Sequence, residues 1–145
     1  MSKILIIEDD ARVGDYISKL ALGSGHVPLV ATDPAGARRL VESEPDIALL
    51  IVDNNLGTGN DDGLAFLTAV RNSGKRHVPV IVCSGDTKPA SVSAFLALNI
   101  VDFVKKPFRP ERLLLDIERA LGHAPAAAKR DAAMEVPARI IRGEG

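Results

Sequence analysis

Two short apolar runs in this chain each end on carboxylates. Ile4-Leu5-Ile6-Ile7 stops at Glu8-Asp9-Asp10, and Ile47-Ala48-Leu49-Leu50-Ile51-Val52 stops at Asp53. Runs of this length without alternation predict strands buried on both faces. A third run, Val78-Pro79-Val80-Ile81-Val82-Cys83, exits onto Ser84, and shorter stretches at Val27 to Ala31 and Phe103-Val104 bring the strands to five. Helical spacing fills the gaps. Val13, Ile17, Leu20 and Ala21 predict a helix from Ala11 to about Leu22, stopped by Gly23-Ser24-Gly25. Asp33-Pro34 opens a second helix that runs to about Ser43, with an N-cap acid and a proline in its first turn. A third starts near Gly63, turns Leu64, Leu67 and Val70 inward and ends before Ser73-Gly74. A fourth covers Pro89 to Leu98, and a fifth starts at Pro110 and carries Leu113, Leu114, Ile117 and Leu121.

Strands alternating with helices of this length predict an α/β fold with parallel strands and right-handed crossovers. The expected architecture is a doubly wound five-stranded sheet in the flavodoxin-like order 2-1-3-4-5, with helices on both faces. Its topological switch lies between the first and third strands, where ligands bind outside the carboxyl ends. Glu8, Asp9 and Asp53 sit at those two ends. At an effective dielectric of 20, two carboxylates about 4 Å apart repel by roughly 4 kcal/mol, so three of them call for a cation. Oxygen-only ligands select a hard ion such as Mg2+, and a carboxylate beside Mg2+ can accept a phosphoryl group. Ser84 offers a hydroxyl donor and Lys106, held by Pro107, an ammonium that can neutralise added charge. Asp10 directly precedes the first helix and is expected to cap it rather than bind metal.

The ordered set of acid pair, Asp, hydroxyl and Lys106-Pro107-Phe108, each at a strand exit, resembles the receiver domain of bacterial response regulators. The intervals agree, with 44 residues from Asp9 to Asp53 and 22 from Ser84 to Lys106. The resemblance covers roughly residues 2 to 122. It implies that Asp53 is the phosphoacceptor, and that Glu8, Asp9, Asp53 and the Asn55 backbone carbonyl bind Mg2+. It also implies that the Lys106-Pro107 bond is cis, and that Ser84 and Phe103 switch the face formed by the fourth helix, fifth strand and fifth helix. Asn55 and Asp86 occupy the positions that govern attack of water on the acyl phosphate, and with small Gly85 beside them they predict a short-lived mark. The chain departs from the family pattern in three places. Gly57 replaces the usual proline four residues after the acceptor, the loop Gly57 to Asp62 is about two residues longer than the commonest form, and Asn99-Ile100 replaces a common Gly-Ala. The first two are expected to loosen the loop after Asp53.

Composition narrows the setting. At 145 residues there is room for one domain, 1–122, and a tail, 123–145, that is a linker, an extra helix over Pro125 to Met134, or a docking segment. A net charge of −1 leaves no footprint for direct nucleic-acid binding. No apolar stretch is long enough to span a membrane and no signal peptide is evident, so the expected location is cytoplasmic. The single cysteine, Cys83, reads as a core residue. Gly57, Gly59 and Gly63 lack dinucleotide-loop spacing, and Ser73-Gly74-Lys75-Arg76 is not a phosphate-binding Walker loop. His26, His77 and His123 form no metal motif. Pro89 to Val101 has no charged residue. It is either a helix with Ser91, Ser93 and Asn99 in water or a contact for a partner or a homodimer. The expectation is a stand-alone signalling receiver rather than a metabolic enzyme, phosphorylated by a histidine kinase or phosphotransfer protein and read by an effector protein. The alternatives are a phosphotransfer intermediate or phosphate sink, and the receiver part of a longer regulator.

Overall fold

The computed structural model describes residues 1–57, 61–74 and 77–122. Five strands alternate with five helices: β1 (Lys3–Ile7), α1 (Ala11–Gly23), β2 (Val27–Ala31), α2 (Pro34–Ser43), β3 (Ile47–Val52), α3 (Asp62–Arg71), β4 (Val80–Ser84), α4 (Pro89–Leu96), β5 (Asp102–Lys105) and α5 (Pro110–Ala120). All neighbouring strands are parallel and the sheet order is β2-β1-β3-β4-β5, as the alternation predicts. The expectations for 123–145 and for the tip of the loop at 58–60 lie outside the described residues.

Each face of the sheet has its own apolar core. Leu5, Ile7, Leu50, Val52, Val80 and Val82 point toward α2, α3 and α4, where Ala37, Phe66, Leu67, Val70 and Phe95 meet them. Ile4, Ile6, Leu49, Ile51, Ile81, Cys83 and Val104 face α1 and α5 through Ile17, Ala21, Leu113 and Ile117. Because the side-chain period of a strand is two, an unbroken apolar run feeds both cores.

The helix ends follow local chemistry. The Asp10 carboxylate accepts from the Arg12 N–H (2.9 Å), and Asp33 accepts from the Gly36 N–H (2.7 Å) with Pro34 at the start of α2. Two boundaries differ by two residues from the sequence expectation. Proline has no N–H for the ladder, so β4 starts at Val80 rather than Val78, and the Pro79 carbonyl still accepts from Leu50 N–H. α4 ends at Leu96 rather than Leu98 because Asn99 turns into the left-handed region at φ 59°. Leu98 and Ile100 pack on the core from the turn that follows, so their apolar character was not a sign of more helix. α4 corrects the sequence reading once more. Ser93 and Asn99 are exposed as expected, but Ser91 is buried.

Candidate functional site

The register between β1 and β3 pairs Ile7 with Val52, so the residues that follow, Glu8 and Asp53, emerge level at the carboxyl edge. Backbone bonds hold both in place: Asp53 N–H donates to Ile7 C=O, and Glu8 N–H donates to Ala31 C=O, each at 3.0 Å. Both carboxylates are buried, whereas Asp9 is exposed. On the other side Val52 pairs with Val82, and Lys106 N–H donates to Ser84 C=O (3.0 Å), which brings the β5 exit alongside.

Glu8, Asp9, Asp53 and Lys106 converge. Lys106 Nζ donates to Asp53 Oδ2 at 3.1 Å and to Glu8 Oε1. The remaining oxygens are also engaged, Asp53 Oδ1 by Asn55 N–H and Glu8 Oε2 by Asp10 N–H, both at 3.2 Å. One carboxylate oxygen from each of Glu8, Asp9 and Asp53 lies within 4.8 Å of the others. Burial pushes the Glu8 carboxyl up to about 7; the Lys106 hydrogen bond pulls it back and the charge of Asp53 adds to the rise. Burial works against the Lys106 ammonium, but the Glu8 hydrogen bond and the Asp53 charge outweigh it and hold its pKa above the ordinary value. An all-carboxylate donor set with two buried members and an open third suits a hard divalent cation, so these residues fit a metal of the Mg2+ type.

The other expected residues are nearby but differently engaged. Ser84 is fully buried on β4, and its Oγ accepts from Asp86 N–H (3.1 Å). Asn55 is exposed, and its side-chain oxygen accepts from Gly57 N–H (3.3 Å). Phe103 is half-buried, its ring edge-on to Phe95 at 6.0 Å. The Lys106-Pro107 bond is cis. Lys105 is exposed, and burial raises the Cys83 thiol to about 12, in keeping with an inert core residue.

Three residues have roles that the sequence alone did not assign. Asn54 is buried beside Asp53 and uses both ends of its amide. Asp61 receives one of those bonds. Gly63 packs so closely on β3 that a Cβ there would lie 2.1 Å from the Asp53 carbonyl oxygen. The available signal for Asn54 was a second polar residue at the end of an apolar run, one past Asp53, in a position too close to the core to be solvated.

The family model of the response regulator receiver domain matches residues 4–118. The transcriptional regulatory protein FixJ of Bradyrhizobium diazoefficiens is 29% identical over 139 residues, covering 94% of this chain and 65% of FixJ. Protein PetR of Rhodobacter capsulatus is 28% identical over 86% of this chain but only 50% of PetR. The chain thus spans between half and two thirds of these relatives. Among solved structures, the receiver domain of NtrX from Brucella abortus is 31% identical with a TM-score of 0.71, covering 82% of this chain and 98% of that one. A CheY-like receiver from Methanospirillum hungatei, 20% identical, shares the fold at a TM-score of 0.77 over 84% of this chain and 94% of its own.

Proposed function

The chain belongs to the response regulator receiver domain family, the signal-receiving unit of two-component phosphorelays, and from that premise we propose that Asp53 is its phosphoacceptor. The observation that carries this reading is the convergence of Glu8, Asp9, Asp53 and Lys106 at one sheet edge. The donor is the phosphohistidine of a histidine kinase or phosphotransfer protein. An Asp53 carboxylate oxygen attacks phosphorus and an O–P bond forms as the P–N bond breaks. The imidazole leaves with the electron pair and takes up a proton.

Glu8, Asp9, Asp53 and the Asn55 backbone carbonyl would hold Mg2+, which when bound supplies the positive charge that offsets their repulsion and draws in the phosphoryl group. Lys106, already bonded to Asp53, stays beside the acceptor and neutralises the charge that arrives with the phosphoryl oxygens. Ser84 turns its hydroxyl from Asp86 N–H toward the new oxygens. Space opens behind it, and Phe103 moves further in against Phe95. The face of α4, β5 and α5 then presents a different surface to an effector protein, or to a second copy of the chain, in the cytoplasm. Asn55 and Asp86 set access of water to the acyl phosphate. Residues 1–122 carry this chemistry.

A second reading, the receiver part of a longer regulator, is supported by the greater length of FixJ and PetR. It uses the same acceptor chemistry. Incubation with phosphoramidate and Mg2+ should add one phosphoryl group by intact mass, and Asp53→Ala should abolish it. Modification that persists in the Asp53 variant would overturn the assignment. Among the described residues no helix is long and apolar enough to cross a membrane.

A further inference from the structure

Behind the acceptor, the side chains of Asn54, Asp61 and Ser91 form a connected chain that the phosphotransfer chemistry does not use. Asn54 is 1% exposed. Its Oδ1 accepts from Leu64 N–H (3.0 Å), while its amide hydrogens go to Asp86 Oδ2 (3.2 Å) and to Asp61 Oδ1. Asp61 Oδ1 accepts a second bond, from the Ser91 hydroxyl at 2.9 Å. Ser91 lies on α4 and is 4% exposed.

Asp61 stands at the N-cap position of α3 in a left-handed conformation, φ 54°, yet its side chain caps nothing. Asn54 does that work instead, taking Gly63 N–H on its carbonyl (3.0 Å) and Leu64 N–H on its side chain. The Asp61 carboxylate is thereby left for Asn54 and Ser91, which span the gap from β3 to α4. Asp86, the other partner of Asn54, gives its N–H to Ser84 Oγ (3.1 Å) and accepts from Lys88 N–H on Oδ1 and from Lys88 Nζ on Oδ2, the oxygen Asn54 also uses, both at 3.1 Å.

Building on the phosphoacceptor reading of Asp53, we propose that Asn54, Asp61 and Ser91 are positioning residues that tether α4 to the acceptor strand and bias the domain toward its unswitched arrangement. When Ser84 turns toward Asp53 it abandons Asp86 N–H, so the loop between β4 and α4 is released at one anchor while Asn54 still holds the other. α4 can follow that loop only by breaking the bond from Ser91 to Asp61. A hydrogen bond to a carboxylate, here part-buried, belongs to the stronger class. Because it exists in one arrangement alone, it sets the free-energy gap that phosphorylation has to overcome. Among the described residues Asp61 is the hydrogen-bond acceptor of the Ser91 hydroxyl, and α4 has no charged residue to form a substitute.

The test is the affinity of the full chain for beryllofluoride, a phosphoryl mimic, titrated with Mg2+ by calorimetry. Ser91→Ala should bind about tenfold more tightly than wild type, the fold-change of one such bond lost from a single state. Asp61→Ala should tighten binding similarly. The double variant should be no tighter than either single one, because both remove the same link. A merely structural role for the chain would weaken the fold by urea denaturation without tightening binding, so unchanged or weaker affinity in folded Ser91→Ala overturns the tether. Additive gains in the double variant would also overturn it. If wild type itself fails to bind beryllofluoride, the phosphoacceptor reading falls and the tether with it; binding by wild type with no gain in Ser91→Ala refutes the tether alone.

Discussion

Gly63 offers the sharpest test of how the acceptor strand is held. A Cβ at this position would lie 2.1 Å from the Asp53 carbonyl oxygen, 2.7 Å from Asn54 Cα and 2.9 Å from the Asp53 carbonyl carbon. All three are backbone atoms, so no side-chain rotation can relieve the overlap. Reaching the 3.4 Å of ordinary contact forces the first turn of α3 away from β3 by more than 1 Å. That movement stretches the bonds from Gly63 N–H to Asn54 C=O and from Leu64 N–H to Asn54 Oδ1, both 3.0 Å. Two such bonds are worth about 1–3 kcal/mol together. Overpacking adds roughly 1–3 kcal/mol, and the better helix propensity of alanine returns about 1 kcal/mol. Gly63→Ala should therefore destabilise the fold by about 3 kcal/mol, lowering the urea midpoint by about 2 M at a slope near 1.5 kcal/mol/M. Gly23→Ala is the control. Nothing lies within 4 Å of its Cβ and its φ is not left-handed, so it should be neutral or stabilise by up to about 1 kcal/mol. Urea unfolding followed by far-UV circular dichroism measures both. A Gly63→Ala protein within about 0.5 kcal/mol of wild type would refute the close-packing argument.

Two further outcomes follow from groups away from the acceptor. Arg71 ties the end of α3 to the entry of β4 and to the turn before β5, donating to the carbonyls of Val78 (2.6 Å), Leu98 (2.9 Å) and Asn99 (3.4 Å). Arg71→Ala should cost about 1–3 kcal/mol in urea unfolding. Arg71→Lys should recover only part of it, since an ammonium lacks the planar fork, and full recovery would count against the forked contact. Asp116 on α5 is buried, with Oδ2 unpartnered and a hydrogen bond to Asp102; burial and that neighbour raise its carboxyl to about 8. The folded state then keeps a proton that the unfolded chain releases near pH 4, so this stability is fully present below about pH 4 and is lost as pH rises through about 8. Asp116→Asn does not titrate, and its stability relative to wild type should grow from about pH 5 to about pH 8.5 by no more than about 1.4 kcal/mol per unit. The lowered pKa of Asp102 acts only below about pH 4 and leaves this slope unchanged. A pH-independent difference between the two proteins would sink this account.

The strands and their acidic exits were legible because an apolar run buried on both faces has no other use for its length, and parallel register then sets Glu8 level with Asp53. Helix faces were legible from spacing, but polar residues on those faces were not. Asp116 shares the buried stripe of Leu113 and Ile117, and its presence makes sense only once Asp102 is seen opposite. Ser91 belongs to the same class: a hydroxyl on a short, uncharged helix reads as solvated until Asp61 is found beneath it.

The loop after Asp53 extends this reasoning. Gly57 in place of proline, together with the added length, predicts a loosened segment, and Gly57 does adopt a left-handed φ of 105°. Yet both described ends of the loop are fastened by side chains. Leu56 N–H donates to Asp62 Oδ1 (2.8 Å), Gly57 N–H donates to Asn55 Oδ1, and Asn54 bonds to Asp61. A proline would fix one φ angle and donate nothing. Here short amides and carboxylates fasten the two described ends, and Asp61 reaches on to Ser91 of α4. The departure from the usual pattern thus comes with a change in how the ends of the acceptor loop are connected: side-chain hydrogen bonds fasten them, and one of the residues that does so, Asp61, also meets α4 through Ser91.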